Sequence, residues 1–198
     1  MTRVVAVAAG LSDPSTSRLL ADRITAEVRR RLPDASVDTI ELRPLAHEIT
    51  DAALSGFAGP RLQTAIDQVA EADALVIVSP IFKASYTGLF KTFIDVLEAD
   101  LLIGKPVLLA ATGGTARHSL AIDLGLRPLF SYLQAFVMPT GVFASPHDWG
   151  SEGTQALGAR IDRAVAELVS VLEGGGTGRS REEEIDLLSE TMRSISEH

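Results

Sequence analysis

The chain has no cysteine among its 198 residues, and that one absence removes disulfides, thiolate metal sites and every cysteine nucleophile. It fits a reducing, intracellular setting. Long apolar runs are missing too. The run from Val4 to Ala9 stops at Gly10 after six residues, too short for a secretory core and far short of the ~20 residues of a spanning helix. The expectation is a soluble, cytoplasmic protein without membrane contact. Positive charge is scarce: 18 Lys and Arg stand against 26 Asp and Glu, a net charge of −8. Nucleic-acid affinity rests on cations that release phosphate counterions, so no nucleic-acid partner is expected. The four histidines, His47, His118, His147 and His198, are scattered. No metal-ligand spacing, Ser-His-Asp set or pair of catalytic carboxylates can be recognised, and no metal site is expected.

What is present is an alternation. Val4 to Ala9 reads as a strand buried on both faces. Leu20, Ile24, Val28 and Leu32 recur every four residues on one face of a helix that ends at Pro33. Val37 to Leu42 reads as an edge strand. Residues 43 to 60 hold two prolines and two glycines and read as a long loop. A short helix through Leu62 to Val69 precedes the clearest buried strand, Ala74 to Val78. A helix over Leu89 to Leu97 and a strand over Pro106 to Ala111 come next. They are followed by a helix from about Ala116 to Leu133, a strand near Phe136 to Met138, and a helix from about Thr154 to Leu172. Five strands alternating with five helices predict an α/β fold, a doubly wound five-stranded parallel sheet of order 2-1-3-4-5. Ligands then sit beyond the carboxyl ends of the first, third and fourth strands. The domain spans residues 1–173. Residues 174–198 form a Gly-rich linker and an amphipathic C-terminal helix, with Ser180 and Glu183 at capping-box spacing.

Three loops fall at that edge of the sheet. After the first strand, Gly10 to Arg18 is rich in Ser and Thr and enters a helix N-terminus. Unpaired N–H groups and the positive end of the helix dipole suit a phosphate there, although the same residues are ordinary helix caps. The segment Ser79-Pro80-Ile81-Phe82-Lys83-Ala84-Ser85-Tyr86-Thr87-Gly88 sets two aromatics beside a lysine and hydroxyls. It could hold a flat aromatic ligand, or be a turn with locally packed rings. After the fourth strand, Thr112-Gly113-Gly114-Thr115 would let backbone N–H groups approach a planar ring, or serve as a flexible turn. Agreement among the three loops carries the functional reading.

On these residues the chain resembles the NADPH-dependent FMN reductases of flavodoxin-like fold, especially those that supply reduced FMN to luciferase-like and alkanesulfonate monooxygenases. The likeness runs from about residue 4 to residue 143. It is carried by Pro14-Ser15-Thr16-Ser17, by Pro80 to Thr92, and by Ala111 to His118 with its continuation to Leu129. The resemblance implies FMN as cofactor and NADPH or NADH as electron donor. It places the FMN phosphate on Ser15, Thr16 and Ser17, the ribityl chain and ring along Pro80, Ile81, Phe82 and Lys83, and the pyrimidine side of the ring on Thr112, Gly113, Gly114 and Thr115. Relatives often carry an arginine where this chain has Ser12, so Arg18 or Lys83 is the candidate for offsetting phosphate charge. Leu124 stands where the sulfonate-linked reductases have an aromatic residue.

The implied chemistry explains the missing catalytic side chains, since the flavin itself accepts the hydride. Backbone N–H groups of Gly113, Gly114 and Thr115 are then expected to stabilise charge on the ring. His118 and Tyr86 are candidates for a substrate contact or an interface. Trp149 reads first as a loop anchor and second as a cover for substrate or a contact with another subunit. The implied partners are a flavin-dependent monooxygenase and further copies of the chain, as a dimer or tetramer. A quinone or azo reductase with bound FMN and a flavodoxin-like electron carrier are the alternatives.

Overall fold

The computed structural model describes residues 1–150 and 153–174. The linker beyond Gly174 and the expected C-terminal helix lie outside the described residues. Strands β1 (Arg3–Ala8), β3 (Ala74–Phe82) and β5 (Pro106–Thr112) form the parallel centre of the sheet. Their sequences are continuous runs of small and branched apolar residues because both faces are covered. Alternate side chains go to opposite cores. Val5, Val7, Leu75, Ile77, Val107 and Leu109 face one layer. Val4, Ala6, Val76, Val78, Leu108 and Ala110 face the other.

The second layer holds α1 (Thr16–Arg31) and α6 (Gly153–Leu172). Leu20, Ile24 and Val28 of α1 are buried against the sheet, as the four-residue spacing requires. The first layer holds α2 (Ala46–Ser55), α3 (Pro60–Glu71), α4 (Gly88–Asp95) and α5 (Arg127–Tyr132). Edge strand β2 (Ser36–Glu41) pairs with β1. The order is β2-β1-β3-β5-β6, the expected 2-1-3-4-5 with two additions. A two-residue strand β4 (Ser85–Tyr86) folds back on β3, and the fifth parallel strand comes in two pieces, β6 (Phe136–Val137) and β7 (Val142–Ala144). In the gap between them, Thr140 donates its N–H and its hydroxyl to the Glu167 carboxylate of α6, at 2.8 and 2.6 Å.

Three local expectations are corrected. Residues 43 to 60 are not a loop. Arg43–Leu45 make one 3-10 turn and α2 follows, closing on Gly56 in the left-handed conformation at φ 79°. The prolines and glycines there punctuate helices: Pro44 opens the turn, Gly56 caps α2 and Pro60 starts α3. Strand β3 does not end at Val78 but runs to Phe82, and Lys83 and Ala84 turn the chain at φ 52° and 67°. The helix expected over 116–133 is broken into a 3-10 turn at Ala116–His118, a π-helical turn at Ile122–Leu126, and α5. Pro128 has no N–H for the carbonyl of Leu124, so the regular ladder cannot pass through it.

Helices α1 and α6 are also joined by charge. Glu27 accepts from Arg30 at 2.5 Å and Arg31 at 2.8 Å, and Arg31 reaches Asp162 of α6 at 2.5 Å. Hydrogen bonding from Arg30, opposed by partial burial and aided by Arg31, lowers the Glu27 carboxyl from its ordinary 4.5 to about 2. A carboxyl lowered by folding stabilises above its unfolded value, and loses that contribution as pH falls through its folded value. Glu27→Gln should therefore lower Tm by about 2–4 °C at neutral pH. The gap to wild type should close between pH 4.5 and 2, as followed by circular dichroism.

Candidate functional site

The carboxyl ends of β1, β3 and β5 open into a cleft of about 300 Å³. Thr16 lines it from the N-terminus of α1. Pro80, Ile81 and Phe82 line it from the projecting end of β3, and Thr112, Gly113 and Gly114 from the end of β5. Ala144, Pro146 and Trp149 close it from the segment after β7. All three loops singled out in the sequence therefore meet here.

The α1 end is built around its first turn. Ser15 is the N-cap, and its hydroxyl accepts the N–H of Arg18 at 3.2 Å. Its side chain packs so close to Gly10 that a Cβ there would lie 1.9 Å from Ser15 Oγ. Gly10 is thus required by that approach. Thr16 and Ser17 begin the helix, and their N–H groups have no helical carbonyl to reach. The Ser17 hydroxyl is buried and lies 2.8 Å from Thr112 Oγ1. Arg18 donates to Asp22 at 2.8 Å and to Glu41, and the hydrogen bond to Asp22, despite some desolvation, raises its pKa further. Ser12 is exposed in the loop before the helix.

The two aromatics of the second loop are separated by the hairpin. Phe82 stands at the cleft, 53 % exposed. Tyr86 turns away and packs edge-on against Phe90, with ring centroids 5.6 Å apart. Lys83 is exposed at the turn and does not line the cleft.

At the glycine turn, the Gly113 N–H donates to Ala144 O at 3.0 Å, extending the β5–β7 ladder by one bond. Of the three N–H groups expected to face a ligand, Gly113 is thus committed to backbone, which leaves Gly114 and Thr115. A Cβ on Gly113 would meet Phe143 Cζ at 2.8 Å and His118 Cβ at 3.3 Å, whereas a Cβ on Gly114 meets nothing within 4 Å. The Thr115 hydroxyl caps the following turn at Arg117 N, at 3.4 Å. His118 is half-buried behind the glycines, and its Nδ1 is buried without a hydrogen-bond partner.

Trp149 is anchored onto the domain and also lines the cleft. Its ring is stacked under Arg23, 4.8 Å from the guanidinium carbon. The Pro146–Trp149 turn that carries it is held by a capping box. Asp148 Oδ2 accepts from the Ser145 N–H at 2.8 Å and from the Ser145 hydroxyl at 2.7 Å. Burial opposes the Asp148 charge, but the Ser145 donors outweigh it and hold the carboxyl below its ordinary range. Sequence reasoning missed this wall, although Ser145 and Asp148 stand three apart just after the strand, at capping-box spacing.

A family model described as NADPH-dependent FMN reductase matches residues 2–150. The chain belongs to that family. The reductase is 42% identical over 176 residues to FMN reductase (NADPH) of Pseudomonas aeruginosa, across 87% of this chain and 93% of that one. It is 39% identical over 168 residues to the NADH-dependent FMN reductase SfnE of Pseudomonas putida, across 84% and 90%. A solved oxidoreductase from Corynebacterium diphtheriae superposes with a TM-score of 0.81 at 45% identity, covering 86% of this chain and 96% of that one. The apo structure of the NADH:FMN oxidoreductase EMOB gives 0.74 at 32% identity, covering 84% and 89%. The chain is accordingly an NAD(P)H:FMN oxidoreductase with a flavodoxin-like α/β fold.

The cleft fits the flavin in kind. It offers unpaired N–H groups at a helix N-terminus for a phosphate, apolar walls for a ring, and open space over Gly114 for close approach. Two glycine substitutions separate folding from binding. Gly113→Ala should cost about 1–3 kcal/mol through the clash with Phe143. Gly114→Ala should leave stability within about 0.5 kcal/mol, yet weaken FMN binding about tenfold. Urea denaturation and FMN titration check the pair.

Proposed function

We propose that this reductase takes up FMN as an exchangeable substrate and passes it, reduced, to a flavin-dependent monooxygenase. The observation that carries this reading is the charge state of the phosphate end. Arg18 is tied to Asp22 and Glu41, and Arg43 lies 3.8 Å from Asp13. A phosphate at Thr16 would therefore be held by N–H groups, hydroxyls and the helix dipole, without a cation committed to it alone. Such a site favours binding with release over permanent capture.

In this reading Ser15, Thr16 and Ser17 form the phosphate end, with Ser15 fixing the first turn so that the N–H groups of Thr16 and Ser17 point outward. Pro80, Ile81 and Phe82 would flank the ribityl chain and ring. The N–H groups of Gly114 and Thr115 would face the pyrimidine edge and stabilise negative charge there. Bound FMN supplies the hydride acceptor for NADPH or NADH. Trp149 and Phe82 would exclude water from the cleft mouth. The reading includes a dimer or tetramer. Its support is the exposure of three large apolar side chains in one segment, Leu120, Leu124 and Tyr132, at 61, 76 and 84 %. It also includes a cytoplasmic location, supported by the lack of cysteine; among the described residues no helix is long and apolar enough to cross a membrane.

Purified protein should oxidise NADPH or NADH at a rate that depends on added FMN and saturates with it. Flavin that stays bound through gel filtration, with strong quinone turnover, would instead assign a prosthetic group and the quinone-reductase reading. Failure of both nucleotides with every flavin would reject a reductase. Thr16→Asp should raise the FMN Kd at least tenfold by placing a carboxylate at the phosphate end. Fluorescence titration reads that change.

A further inference from the structure

The buried hydroxyl pair Ser17–Thr112 joins residues 95 apart in sequence, with the oxygens 2.8 Å apart. Ser17 is 1 % and Thr112 4 % exposed. Each partner sits beside a different end of the cleft. Ser17 follows Thr16 in the first turn of α1, and Thr112 leads into Gly113 and Gly114. Between them lies β3, whose Pro80 is level with Thr112 in the sheet register. The bond therefore ties the first loop to the third at the level of Pro80 in the central strand.

This contact is not one that folding alone demands. The N-cap of α1 is already supplied by Ser15. A buried hydroxyl pair can be replaced by two apolar groups of the same shape at little net cost, whereas one hydroxyl left alone is expensive. What a hydroxyl pair adds over apolar contact is a fixed separation and direction.

We propose that Ser17 and Thr112 are positioning residues that set the distance between the phosphate end and the glycine turn, so that one FMN molecule engages both. The inference rests on the flavin site assigned above. Its physical content is an effective-concentration argument. A ligand anchored at one end meets the second end without further loss of freedom only if the spacing between the two is held. Riboflavin has the ring but no phosphate and does not sense that spacing.

The test is titration of FMN and of riboflavin, by flavin fluorescence, against wild type, S17A, T112V, the double variant and T112S, each checked for folding by thermal denaturation. Wild type should prefer FMN. S17A and T112V should each lose about tenfold in FMN affinity while riboflavin affinity moves less than about threefold. The double variant should be no worse than either single one, because the same bond is lost once. T112S keeps the hydroxyl and should stay within about threefold of wild type. Should S17A not fold, T112V against T112S carries the same comparison. Equal weakening of FMN and riboflavin, unchanged FMN affinity, or additive losses would overturn the clamp while leaving the reductase assignment standing. A wild type that binds neither flavin would overturn the site itself.

Discussion

The structure depends on burying three parallel strands from both sides. Once β1, β3 and β5 lie side by side, each residue of Val4–Ala8, Ala74–Val78 and Val107–Ala111 is committed to one core or the other, and their backbone groups are used in the ladder. Helices must cover both faces, and each crossover must start at the carboxyl end of a strand. Those ends are where the chain leaves the core, where helix N-termini gather, and where N–H groups remain to be satisfied. The cleft follows from the layer arrangement. Its position needs no dedicated element beyond the hairpin of Phe82 and the capped turn of Trp149.

The acidity of the chain is compatible with an anionic ligand because the charges are local and paired. Arg18 is neutralised by Asp22 and Glu41, and the Glu27 network lies between the outer parts of α1 and α6. The cleft is left with backbone donors and apolar walls. In so small a volume a fixed N–H costs no side-chain entropy to aim, and in the proposed reading this is how a cleft lined by Thr16, Pro80, Ile81, Gly114 and Trp149 would take a charged cofactor.

The core strands were legible because burial on both faces leaves an unbroken apolar run, and α1 because its buried residues fall four apart. The three loops were legible because topology brings strand ends together even when each loop is a weak signal. What escaped was set by single residues with two meanings. Pro44, Gly56 and Pro60 read as loop formers but delimit α2 and α3. Pro128 breaks a helix whose apolar spacing continues through it. The sequence offers the Gly113 N–H to a ligand, but the ladder with β7 claims it, a pairing invisible until the split fifth strand is known. Tyr86 and Phe82, four apart, read equally well as flanking one flat ligand or as packing locally in a turn. Lys83 and Ala84, neither of them glycine, make the left-handed turn that sends the two rings apart. Residues 175–198 lie beyond the described structure.

The break in the fifth strand also shapes how copies of the chain can meet. A continuous outer strand would present a row of open hydrogen-bonding groups, the usual template for sheets to grow by edge addition. Here β6 and β7 each pair only briefly with β5, and the gap between them is turned inward to the Glu167 carboxylate. The opposite border, β2, carries Asp38 and Glu41. Neither border offers a long, uncharged template. The association included in the proposed reading would therefore be channelled to helix surfaces, where it can close into a finite assembly instead of extending without limit.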